Sequence, residues 1–177
     1  LRIGAPRTPV QLFWRNLKTD FSENESQIKF ISVDDLMQTI TFELPANISV
    51  PTQLRFDPSI EPGEFSLDAI DVTALYNNED VAIQNLNFRN SSDRQLLNFQ
   101  NIELNRRQSQ WTLSAINSDP YMFWDLPSIQ DLNNIDCLRV RIKMKWLGGG
   151  DKNKEEVIAI AFRIWKWISQ NLFKKVG

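Results

Sequence analysis

The chain has no histidine and a single cysteine among its 177 residues. The first absence removes Ser-His-Asp and Cys-His arrangements, zinc sites built on imidazole, and the usual general base near neutral pH. The lone Cys137 excludes an internal disulfide framework and any cysteine-cluster metal site. It precedes an expected strand and reads as a small packed residue rather than a nucleophile. No apolar run is long enough to span a bilayer, and no signal peptide is evident. The net charge of −2 supplies no global field for nucleic acid. Gly148-Gly149-Gly150 is not followed by Lys-Ser or Lys-Thr, so it is no phosphate loop. The expected location is cytoplasmic, with membrane association left open by the C-terminal segment. Both ends read as cut from a longer protein: Leu1 is not a start methionine, and the chain stops after Lys174-Lys175-Val176-Gly177.

What is present is alternation. Leu138, Val140, Ile142, Met144 and Trp146 alternate with Arg139, Arg141, Lys143 and Lys145. A strand places successive side chains on opposite faces, so one face here is apolar and the other cationic. This predicts a long, half-buried strand of an antiparallel sheet. Shorter strands are expected over 10–14, 27–32, 37–44, 54–57, 65–72, 81–88, 96–104, 110–115 and 121–126. In 27–32, Ile28 and Phe30 are expected to face inward. Phe21 reads as an anchor in an otherwise polar stretch. Phe65 and Leu67 share one parity while Ile70 and Val72 share the other, which predicts a bulge near Asp68-Ala69.

From Lys154 the pattern becomes helical. Glu155 and Glu156 stand at the start and Lys174 and Lys175 at the end, as the helix dipole favours. The expected organisation is an arm over 1–9, a mainly β antiparallel sandwich over 10–146, a glycine-rich hinge over 147–154, and an amphipathic helix over 155–175 leading to a neighbouring domain.

Several segments taken together resemble the jelly-roll modules that accompany bacterial glycosyltransferases of the O-antigen and rhamnan-synthesis kind. They are Val10-Gln11-Leu12-Phe13-Trp14, Phe21-Ser22-Glu23-Asn24, Phe42-Glu43-Leu44-Pro45, Leu54-Arg55-Phe56-Asp57-Pro58 with Pro62-Gly63, and Leu126-Pro127. The resemblance implies a galactose-binding-like sandwich and a non-catalytic accessory role in a cell-envelope polysaccharide enzyme. No ligand motif is carried over with it.

The residues themselves offer four candidate sites. Arg55, Asp57 and Glu61 suit a sugar hydroxyl or a structural calcium ion, which needs oxygen ligands. The plainer reading pairs Asp57 with Arg55 beside the turn at Pro58. Trp111, Tyr121 and Trp124 suit stacking against a sugar ring, with core packing as the alternative. The row Arg139, Arg141, Lys143 and Lys145 suits an anionic polysaccharide or lipid phosphate, or else a solvated face with acids on the neighbouring strand. The 155–175 helix is apolar over most of its circumference, with Ile164, Trp165, Trp167, Ile168 and Leu172 as its interaction residues. It is expected to bury them against another chain or the neighbouring transferase domain, rather than against its own sandwich or a membrane interface. A purely structural or oligomerisation domain is the alternative to glycan binding. A glycoside hydrolase using two of Asp68, Asp71, Asp119 and Asp125 ranks last.

Overall fold

The computed structural model describes residues 7–16, 19–34, 36–45, 51–60, 62–76, 79–107, 110–117, 119–127 and 135–148. The expected helix with Ile164, Trp165, Trp167, Ile168 and Leu172 lies outside the described residues, as does Glu61.

Eleven strands form among the described residues: β1 (Arg7–Arg15), β2 (Ser26–Ser32), β3 (Gln38–Pro45), β4 (Gln53–Asp57), β5 (Gly63–Tyr76), β6 (Glu79–Asn87), β7 (Asn98–Gln100), β8 (Ile102–Arg107), β9 (Gln110–Ala115), β10 (Tyr121–Asp125) and β11 (Cys137–Gly148). β1 begins at Arg7, so three residues expected in the arm belong to the sheet. β11 runs to Gly148, two residues into the expected hinge.

The strands make two antiparallel sheets. Sheet A has the order β2-β1-β4-β10-β7, and sheet B the order β3-β11-β5-β9-β8, with β6 also on β5. Consecutive strands cross between the sheets repeatedly. The inner faces share one core, to which both sheets contribute. Phe56 of sheet A meets Phe42 of sheet B edge to face, with ring centroids 6.2 Å apart. This is a β-sandwich.

β11 is an interior strand of sheet B, between β3 and β5, and its alternation explains its place. Leu138, Val140, Ile142, Met144 and Trp146 are all buried. The cations on its other face meet acids of neighbouring strands. Arg139 bonds Glu43 of β3 at 3.0 Å and Asp80 of β6 at 2.9 Å. Arg141 reaches Asp80 at 3.2 Å, and Lys143 reaches Asp68 of β5 at 2.7 Å. The bulge falls at Asp68. Lys143 pairs with Ala69 but Met144 with Leu67, so Asp68 is the extra residue. The extra residue lets both apolar pairs of β5 face the core.

Two expectations are corrected. Ile28 and Phe30 face outward, at 53% and 65% exposure, and Ile31 is the buried residue of β2. β2 is an edge strand with apolar residues on both parities, so alternation alone did not select the inward face. The stretch 96–104 is not one strand. It divides at Asn101, whose φ of 57° is left-handed, into β7 of sheet A and β8 of sheet B. Asparagine tolerates that region better than most residues. A single helical turn, α1 (Ser91–Arg94), precedes β7.

The open side of the sandwich, at β2 and β3, is bridged by glutamines. Gln38 Oε1 accepts from the Ser32 N–H at 3.0 Å, and its Nε2 donates to the Ser32 carbonyl at 2.8 Å. Gln27 Oε1 accepts from the Glu43 N–H at 3.3 Å. Lys29 shares the inward parity of Ile31 but stays exposed at the edge.

Candidate functional site

The outer face of sheet A carries the most structured group of polar and aromatic side chains. Register sets its rows. Phe13 of β1, Arg55 of β4, Phe123 of β10 and Asn98 of β7 lie across the strands. Gln11 and Asp57 form the next row, and Tyr121 with Gln100 continues it. Residues two apart on a strand share a face, which places Arg55 beside Asp57 and Tyr121 beside Phe123.

Arg55 is the hub. Its Nε and Nη2 donate to the two oxygens of Asp57, both at 2.8 Å. Nη2 also donates to Asp119 at 3.1 Å. The guanidinium lies over the Tyr121 ring at 3.9 Å and over Phe13 at 5.1 Å. A planar cation between aromatic faces, held by a bidentate carboxylate, has little rotational freedom. Tyr121 and Phe123 are half-buried, with ring centroids 6.3 Å apart.

Loops frame this floor. The 19–25 segment folds over β1: Phe21 packs edge to face on Phe13, Arg15 lies over Phe21 at 4.2 Å, and Gln11 donates to Glu23 at 2.7 Å. Phe21 is thus the anchor that its position suggested. On the other side, Asn117 Oδ1 accepts from the Asp119 N–H, and Asn101 Nδ2 donates to the Asp119 carbonyl at 2.9 Å. The left-handed corner at Asn101 therefore fixes the turn that presents Asp119 to Arg55.

The electrostatics follow from burial and pairing. Burial is the largest influence on Asp57 and raises its pKa above the ordinary carboxylate value. Arg55 opposes that rise, while Asp119 and Glu23 add to it. Burial works against the Arg55 charge, yet Asp57 and then Asp119 hold its pKa above the usual arginine value.

The structure joins Arg55, Asp57 and Tyr121 of the expected residues. It separates Trp124 from them. Trp124 shares the parity of Met122 and lies on the inner face, fully buried, so it is a core residue and no part of an outer platform. Positions 121 and 124 are an odd number apart, and a strand sends such residues to opposite faces. Trp111 belongs to sheet B, where Arg94 of α1 covers its ring at 4.3 Å. The second aromatic of the floor is Phe123, which the same parity rule points to. Phe13 is the other, and the apolar content of both faces of β1 was its signal.

The plainer reading of the cationic row describes what is seen: Arg139, Arg141 and Lys143 are met by Glu43, Asp80 and Asp68. The four acids considered for hydrolysis divide between the sheets. Asp68 bonds Lys143, and Asp71 bonds Asn85, both on sheet B. Asp119 bonds Arg55, and Asp125 accepts from Gln53 at 2.7 Å, both on the sheet A side. Both Asp57 oxygens are engaged by a cation, and no group of three metal-ligating side chains occurs among the described residues. The Cys137 thiol is pushed up in pKa, first by burial and then by Glu43, which suits a packed residue.

Compared with family models, curated proteins and solved structures, the chain matches none.

Proposed function

We propose that this chain is a non-catalytic accessory module of a cell-envelope polysaccharide glycosyltransferase. In this reading it has a jelly-roll, galactose-binding-like sandwich and binds glycan on the outer face of sheet A, helping to position the transferase domain. The carrying observation is the floor formed by Arg55, Tyr121 and Phe123. Half-exposed rings offer flat apolar area to the C–H face of a sugar, and the polar groups beside them suit its hydroxyls. Exposed Asn98 and Gln100 extend that polar rim. Repeated crossing of consecutive strands between the sheets supports the jelly-roll reading, as does the resemblance of 10–146 to such modules. The alternative, a purely structural interaction domain, draws support from Ile28 and Phe30, which stand exposed on the edge strand β2.

The test is titration of the full chain against a broad saccharide array, followed by calorimetry on any hit. Saturable binding is expected, weakened roughly fivefold in Tyr121→Ala and in Phe123→Ala at unchanged fold, since stacking of this kind is worth about 1 kcal/mol per ring. Absence of binding across the array removes the glycan reading and leaves the structural one.

A further inference from the structure

Resting on that reading, we infer that the sheet A floor is selective for charge class: it takes neutral or amino saccharides and rejects uronic acids and other anionic ones. The argument starts from which groups surround Tyr121 and Phe123. Asp57 and Asp119 both bond Arg55. Glu23 stands over Gln11, next to Asp57 in its row. Asp125 accepts from Gln53, which in turn accepts from Arg15 at 2.8 Å, and Asp20 lies 3.7 Å from Arg15. Among the described residues, five carboxylates thus face two guanidiniums. Arg7, on the same strand as Arg15, lies six residues along β1 from Phe13, roughly 20 Å away at strand rise.

Neither guanidinium is well placed for an incoming anion. Arg55 gives Nε and Nη2 to carboxylates and its plane to Tyr121. Arg15 gives Nε to Gln53, donates to the Thr19 carbonyl at 3.2 Å, and lies over Phe21. These bonds leave a ligand carboxylate only Nη1 of Arg55 and Nη2 of Arg15, and it would stand among the acids at either, where like charge at close range opposes association. A hydroxyl or ammonium instead finds acceptors. Of the two that bond Arg55, Asp119 is the more open, with its side chain 67% exposed. Asp57 remains the inner wall, largely covered by Arg55.

The test uses the full chain and matched oligosaccharides. β-1,4-Glucan, mannan and galactan fragments are each offered as the neutral form, the 2-amino form and the 6-carboxylate form, at low and high salt. Neutral and amino forms are expected to bind at least tenfold tighter than the carboxylate form of the same backbone. That gap should narrow at high salt, as screening demands. In Asp119→Asn, whose exposed side chain is not needed for the core, the carboxylate form should gain at least threefold relative to the neutral one. Carboxylate forms binding as well as neutral ones overturn the charge selectivity and leave the glycan reading standing. A gap that Asp119→Asn leaves unchanged also overturns it, since the discrimination then lies elsewhere. No binding by any form overturns both.

Discussion

The two outer faces of the sandwich carry arginines on the same alternating grammar, yet they are different kinds of surface. On sheet B, Arg139, Arg141 and Lys143 stand in a row, each met by an acid of another strand, with no aromatic ring stacked on them among the described residues. Such surface pairs are individually weak. On sheet A, Arg55 is as shielded as Arg139 and like it meets two carboxylates, but it is also set over two rings. What separates the faces is the neighbour across the strand. Charge on one strand becomes a specific site only where register brings aromatic rings and carboxylates to the same spot.

The largest expected effect tests the shared inner side. Ile142→Asp places an unpaired charge in the core and should cost several kcal/mol, enough to unfold the sandwich. Lys143→Asp, one residue on and outward, should stay within about 1 kcal/mol. Equal shifts in urea melts would break the parity on which both faces are assigned. Next comes the contrast between the faces. Arg55→Ala strands the largely buried Asp57 and should cost about 2 kcal/mol, a figure below that for a fully buried pair because Arg55 keeps some solvent. Arg141→Ala should lie within about 1 kcal/mol. If the two variants melt alike, Arg55 is no more than another rung of a surface ladder.

The smallest effect sharpens the comparison through titration. Asp57 has its pKa raised, so its ionisation in the folded state is disfavoured, and its contribution is fully present below the unfolded value and lost as pH rises through the folded one. Asp93 of α1 is the opposite case. The backbone N–H of Asn87 is the largest cause of its lowered pKa. Its contribution is present above the ordinary aspartate value and lost as pH falls through the folded one. Carboxyl NMR titration should therefore find Asp57 above and Asp93 below an unperturbed aspartate. The reverse order would contradict the burial assigned to the Arg55 site.

Much of the sandwich was legible because strands with one buried face declare it. The β11 alternation and the parity conflict in β5, resolved at Asp68, needed only local sequence. The edge strand β2 did not declare itself, since Ile28, Phe30 and Ile31 supply apolar side chains to both faces. The break at Asn101 was hidden because asparagine is common in this chain and only the crossing between sheets shows its use. In the candidate site, Arg55 with Asp57 was readable at a spacing of two. Asp119, sixty-four residues on, was not, because tertiary register alone brings it to Arg55. In β10, the parity that sends Trp124 to the core and Tyr121 outward is as readable as that of β11.

The glutamines that bridge β2 and β3 bear on how the protein behaves when concentrated. Fibrils grow where a bare strand edge offers its amides to an incoming chain. At Ser32 and Glu43 those backbone groups already hold a side-chain amide of the same molecule, and Lys29 sets a charge at the intervening edge. Stacking through this side has first to break an intramolecular bridge. At this side of the sandwich, the guard against edge pairing is two side-chain amides and one lysine.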